Sequence, residues 1–123
     1  MSILSAFTNQ LVNLIENLCE MYPNDPDLSF TKTSVILMKK SNPRKLQELF
    51  DKHVAIYQAE ILSKNEVFLI NNDFVEEQFS KVDNQDYAIK IMQNLRKYWT
   101  DIDAESKLNI WKYLQVLVVL SNK

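Results

Sequence analysis

Apolar residues recur along this chain at intervals of three and four, the spacing that places side chains on one face of an α-helix. In the first half, this pattern predicts helices over residues 3–21, 28–40 and 43–63. Hydroxyl residues weaken the helical pattern of the second segment, so a strand over 33–38 is its alternative. The first half of the chain is therefore predicted to be mainly helical.

The second half begins with an ambiguous run at 66–70, where periodicity cannot separate helix from strand. Further patterns predict a short helix over 73–81 and a longer one over 85–99. The last predicted helix covers 104–121. These segments bring the number of predicted helices to five or six.

The last helix contains the most apolar stretch of the chain, LNIWKYLQVLVVL at 108–120. Asp103 precedes the helix as an N-cap. A helix that is apolar on almost every side is usually buried, so we expect the other helices to pack around this one. The apolar stretch is interrupted by Lys112 and Gln115 and is shorter than the about 20 apolar residues that cross a bilayer. The sequence therefore predicts no membrane span.

The chain has 123 residues and no glycine. Its length predicts a single domain over 1–123. Small β-rich folds use glycine in their turns, and phosphate-binding loops use it where the backbone approaches the ligand, so the missing glycine argues against both. The predicted fold class is all-α: an irregular bundle of five to six helices packed around the apolar C-terminal helix.

The overall composition bears on attraction to charged partners and on the cellular location. The net charge is -2, from 14 basic and 16 acidic residues, so no global field attracts nucleic acid or anionic lipid. A single cysteine, Cys19, excludes an internal disulfide and is typical of a reducing compartment. The N-terminal residues lack the basic and apolar regions of a secretory signal. We therefore expect an intracellular protein.

Residue types suited to catalysis are few. Cys19 is the only thiol and His53 the only histidine, and each lies on or beside an apolar helical stripe. Asp73, Glu76 and Glu77 would share one side of a helix, but a hard cation normally recruits more oxygen ligands from a shaped loop. We therefore predict no enzyme, no cofactor and no metal.

Charge is distributed unevenly along the chain. Residues 32–45 carry a net charge of +5 with no acid, and residues 66–87 carry -5. The candidate partner-binding residues taken from these two segments are Lys39, Lys40, Arg44, Lys45, Glu76 and Glu77. The basic segment predicts contact with an acidic protein partner, or with the acidic segment of a second copy.

Three stretches resemble a known group of proteins: KKSNPRKLQELF at 39–50, EVFLINNDF at 66–74 and IWKYLQVLVVLS at 110–121. They are similar to segments of small all-helical proteins of unassigned function encoded by nucleocytoplasmic large DNA viruses. The resemblance implies a helical fold and a viral factory or virion setting. It implies no chemistry.

The function that follows from these observations is binding. We expect a non-enzymatic protein-protein interaction or virion-associated protein. The alternative is a nucleic-acid-associated helical protein that uses the basic corner at 39–45. Phosphate contacts would make the affinity for nucleic acid fall steeply with salt, which separates the two hypotheses.

Overall fold

The computed structural model describes residues 2–67 and 87–122. Over these residues the chain forms six α-helices and two short 3-10 helices, without a strand. The α-helices are α1 (Ile3–Met21), α2 (Pro26–Ser41), α3 (Pro43–His53), α4 (Gln58–Leu62), α5 (Tyr87–Tyr98) and α6 (Ala104–Ser121). The 3-10 helices are Ala55–Tyr57 and Trp99–Asp101. The predicted all-α bundle is confirmed.

The first and last helices have the bounds that the sequence predicts. Ser2 caps α1 by accepting a hydrogen bond from the Ser5 backbone N–H at 3.0 Å. Asp103 caps α6 by accepting from the Ser106 N–H at 3.1 Å. Each cap satisfies a donor that would otherwise lack a partner inside the helix, which fixes where the helix begins.

The second helix starts two residues earlier than predicted. The N-cap is Asp25, whose carboxylate accepts from the backbone N–H groups of Asp27 and Leu28. Pro26 is then the first helical residue, a position where the missing proline N–H costs nothing. The strand alternative over 33–38 is wrong, because these residues are helical throughout.

The predicted single helix over 43–63 is wrong, because the chain breaks after His53. Val54 leaves helical geometry, with φ -121° and ψ -47°, and a 3-10 turn leads into α4. The break lets the two halves contact different neighbours: α3 packs on α1, α2 and α5, and α4 packs on α6. The apolar spacing continues across the break, so periodicity alone did not show it.

At the end of α4, a residue other than glycine takes the left-handed conformation that commonly ends a helix. Lys64 takes the left-handed conformation, with φ 58°. The N–H of Asn65 donates to the Glu60 carbonyl at 2.9 Å, and the N–H of Lys64 donates to Ile61. These two bonds form a Schellman motif, which satisfies carbonyls at the helix end.

The chain from 66 onward is described only in part. Glu66 and Val67 have helical backbone, and the rest of the ambiguous run at 66–70 lies outside the described residues. The helix predicted over 73–81 also lies outside them. The helix predicted over 85–99 is described from Tyr87, and it ends in the 3-10 turn that carries Trp99.

A single cluster of buried apolar side chains connects all six helices. α6 packs most extensively on α1 and also contacts α3 and α4, while α2 and α5 pack on each other and on α3. Two edge-to-face aromatic pairs lie inside: Phe7 with Phe50 at 5.3 Å, and Trp99 with Trp111 at 5.4 Å between ring centroids. No described helix is long and apolar enough to cross a membrane.

Candidate functional site

The basic residues selected from the sequence surround the corner where α2 meets α3. Asn42 is both the C-cap residue of α2 and the N-cap residue of α3, so only one residue separates the two helices. Lys40, Arg44 and Lys45 are exposed there, and none of them forms an ion pair with a described residue. We call these three residues the basic corner.

Lys39 does not point the same way as Lys40. Consecutive residues of an α-helix are about 100° apart around its axis. The Lys39 ammonium group donates to the Asn9 side-chain oxygen on α1 at 2.7 Å, and its side chain is half-buried. Lys39 therefore joins α2 to α1, and the basic corner is smaller than the sequence cluster.

The N-terminus of α3 adds positive potential to the basic corner. The Asn42 side chain makes no capping hydrogen bond, and the first turn of α3 contains no acid. By contrast, α1, α2 and α6 each have a side-chain cap. The positive end of the α3 dipole thus lies beside Arg44 and Lys45, and the negative end of the α2 dipole lies beside Lys40.

No protein-family model, curated protein or solved structure matches this chain. The resemblance to viral helical proteins therefore stays a prediction.

The acidic members of the predicted partner-binding set lie outside the described residues. Glu76 and Glu77 belong to that part of the chain, as does Asp73 of the acidic trio weighed as a metal site. Within 2–67 and 87–122, no group of three histidine, cysteine or carboxylate side chains could hold a metal ion. The prediction that the basic and acidic segments contact one another in two copies stays a prediction.

The two candidate nucleophilic-catalysis residues have environments typical of packing. His53 is buried at the end of α3. The Cys19 thiol is half-buried and donates weakly to the Leu28 carbonyl, with 3.6 Å between sulfur and oxygen. Burial raises the pKa of the Cys19 thiol, and the Lys32 ammonium opposes this shift only in part. The environment therefore disfavours the reactive thiolate.

A polar network that the sequence did not reveal connects the start of α2 to the end of α5. Besides capping α2, Asp25 accepts a hydrogen bond from the Tyr98 hydroxyl and pairs with the Lys97 ammonium at 3.5 Å. The Tyr98 ring stacks on Tyr22 with 3.8 Å between centroids. In the sequence, the only sign of this network is that Asp25 lies between two prolines. Its partners Lys97 and Tyr98 lie more than 70 residues away along the chain.

A second carboxylate, Asp27, continues this connection one turn along α5. It accepts from the Asn94 amide at 3.2 Å and pairs with Lys90 at 3.4 Å. Asp25 itself is buried, and burial alone would raise the pKa of its carboxyl group. The Tyr98 hydroxyl, the two backbone N–H donors and Lys97 outweigh burial and lower that pKa. All the oxygens are used within the protein, so the network is suited to holding helices together.

Two outward helix faces expose large apolar side chains. On α2, Phe30 and Leu37 are 56% and 61% exposed, although the sequence shows them simply as part of an apolar run. On α6, exposed positions recur where the sequence predicted an all-round buried helix; they are Leu108, Val116 and Val119. These faces are candidates for contact with another molecule, because exposed apolar groups that recur along one face are typical of interaction sites.

Proposed function

We propose that the protein is a non-enzymatic binding module that docks on an acidic surface of another protein through the basic corner. The observation that carries this proposal is the exposure of Lys40, Arg44 and Lys45 at one turn of the chain. The 32–45 segment contains no acid, and the first turn of α3 beside Arg44 and Lys45 contains none either. Such a corner attracts acidic groups over the ~8 Å Debye length of physiological salt.

A second copy of this chain is the other protein partner that the charge pattern supports. In that arrangement Lys39 and Lys40 would face Glu76 and Glu77. Because Lys39 bonds to Asn9, Lys40 would carry most of that contact. Sedimentation of the wild type, of each charge reversal and of the combined reversal tests this directly. Assembly that either single reversal abolishes and the combination restores would establish self-association.

Nucleic acid is the alternative ligand for the same corner. Lysine outnumbers arginine 12 to 2 in this chain, and Arg44 is the one arginine of the corner. Bidentate base and phosphate contacts favour arginine, and a nucleic-acid site usually extends over several phosphates. The acidic protein partner therefore explains the corner with fewer missing contacts. The viral setting rests on the resemblance and remains a prediction.

The proposal is tested by charge reversal with a matched control. In the corner variant, Lys40→Glu and Lys45→Glu reverse two of the three charges of the basic corner. In the control variant, Lys64→Glu and Lys112→Glu make the same change in net charge at two exposed lysines, one just after α4 and one on α6. Each protein is used as bait in its native cells, and the captured partner is then measured directly. Lys39 is left unchanged because of its bond to Asn9.

We expect the corner variant to associate with the partner about tenfold more slowly at low salt, with the difference shrinking as salt is raised. The control variant should behave like the wild type. Equal losses in both variants would mean that net charge alone matters, and would contradict a specific corner. Binding to duplex DNA or single-stranded RNA with a steep salt dependence, lost in the corner variant, would favour the nucleic-acid alternative.

A further inference from the structure

The outward face of α2 carries a stripe that begins about three turns before Lys40 of the basic corner. Phe30, Thr33 and Leu37 follow one another at i, i+3 and i+7, and all three are exposed. This is the spacing of a helix that packs along another helix. Phe30 and Leu37 are about 10 Å apart along the axis, so the stripe covers two turns.

Two hydroxyl groups along this stripe are already used by α2 itself. Thr33 donates to the Ser29 carbonyl at 3.1 Å, and Ser41 donates to the Leu37 carbonyl at 3.0 Å. The Thr33 methyl group thus supplements the two large apolar side chains. A partner that covers the stripe would bury few polar groups in need of new hydrogen bonds, which lowers the cost of desolvation.

The stripe continues directly into positive charge. Lys40 is the next position of the same spacing, and Arg44 and Lys45 follow at the start of α3. The surface is therefore apolar along α2 and basic at its C-terminal end. A complementary helix has an apolar stripe and carboxylates at one end.

The charge also sets the direction of the partner helix. Acidic residues are favoured in the first turn of a helix, where the dipole is positive. A helix with such a first turn over the basic corner runs antiparallel to α2. Its later turns then place apolar side chains against Leu37 and Phe30.

We propose that α2 and the basic corner together bind an acidic amphipathic helix of another protein, antiparallel to α2. This inference rests on the proposed function and adds the class of partner and the apolar half of the contact. The exposed face of α6 makes an internal contrast, because Leu108, Val116 and Val119 have one lysine and one glutamate beside them, Lys112 and Glu105. Over its described residues, that face offers apolar contact without a net charge.

The test uses two synthetic peptides of about 18 residues, long enough for a helix in a complex. The first has glutamates in its first two turns and leucines at i, i+3, i+7 and i+10. The second has the same composition, with the leucines at alternate positions so that a helix cannot align them. Backbone amide shifts of the isotope-labelled protein locate binding, and fluorescence anisotropy gives the affinity.

We expect the first peptide to shift the amides of α2 and of the α2–α3 corner, and the second to bind at least about tenfold more weakly. Phe30→Ser with Leu37→Ser should weaken the first peptide by about tenfold or more, because two anchors are removed. Val116→Ser with Val119→Ser, the matched change on α6, should leave its affinity within about twofold. All four positions are exposed, and circular dichroism checks that the variants remain folded.

Other outcomes overturn the inference in distinguishable ways. If corner reversal weakens binding and the α2 serine pair does not, the basic corner binds acids without the stripe, and only the proposed function stands. If the first peptide shifts α6 amides, or if both peptides bind equally, α2 is not the helix-binding face. No binding at up to about 1 mM peptide would also reject this partner class, since such contacts would then be weaker than ~4 kcal/mol. Preferential binding of single-stranded RNA at the corner would reject both proposals.

Discussion

α2 and α6 are both rich in apolar residues, yet α6 buries more of them in the bundle than α2 does. α6 buries five large side chains, Ile110, Trp111, Leu114, Leu117 and Val118. α2 buries only Leu28, Thr31 and Val35, and polar contacts at its two ends supplement this packing. Asp25 joins its start to α5, and Lys39 joins its end to α1.

Their outward faces differ as well. Both expose apolar side chains, but only the α2 face continues into three basic residues without an intervening acid. Exposed apolar side chains alone indicate that a helix can contact another molecule. The charged residues beside them indicate what kind of surface that molecule presents. The comparison shows that α6 contributes more buried apolar side chains than α2, and it is consistent with the proposal that α2 is the helix that binds a partner.

The largest expected effect tests how α6 is held. Trp111→Ala should lower the free energy of unfolding by about 3–5 kcal/mol, because Trp111 is buried against the edge of Trp99 and its removal leaves a cavity. Urea denaturation monitored by circular dichroism measures the change. A loss below about 1 kcal/mol would mean that the inner face of α6 contributes little, and the contrast with α2 would fail.

A smaller effect should follow from cutting the polar anchor of α2. Asp25→Ala should cost about 2–3 kcal/mol, since it removes the helix cap and leaves Tyr98 without its buried acceptor. Asp25→Asn keeps a good cap and should cost less. Chemical denaturation of both variants measures the loss. Equal losses would show that the carboxylate charge is what matters, and a negligible loss in both would show that packing alone holds α2.

The charge of Asp25 also predicts a pH dependence. The pKa of the Asp25 carboxyl group is lower in the folded state than in the unfolded state, where it is about 4. The ionised carboxylate therefore stabilises the fold fully above that unfolded pKa, and this stabilisation is lost as the pH falls through the folded pKa. The stability difference between the wild type and Asp25→Asn should therefore narrow below about pH 4. Unfolding curves at several pH values test the sign, and a difference that widens on acidification would contradict it.

The smallest effect concerns the outward faces. Phe30→Ser with Leu37→Ser, and Val116→Ser with Val119→Ser, should each change the free energy of unfolding by less than about 1 kcal/mol, because all four side chains are largely exposed. Thermal melting measures both pairs in parallel. A loss of several kcal/mol on α6 alone would show that its outer face belongs to the core, which would sharpen the contrast with α2.

The sequence by itself determined the class of fold and the position of most helices. Regular apolar spacing and N-caps suffice for this, because both depend on residues within one helical turn of each other. For α1 and α6 the predicted bounds agree with the structure to the residue. Buried positions on α5, such as Met92 and Leu95, and Trp99 in the 3-10 turn after it also follow from the spacing.

The tertiary structure alone decided which face of an ambiguous helix points outward. In α2 the apolar positions surround the axis, so no periodicity distinguishes buried Leu28 and Val35 from exposed Phe30 and Leu37. The sequence pattern also did not show three other features: the break at Val54, the bond from Lys39 to Asn9 and the pairing of Asp25 with Tyr98. Each depends on packing between segments far apart in the chain, and a local pattern carries no information about which segments meet.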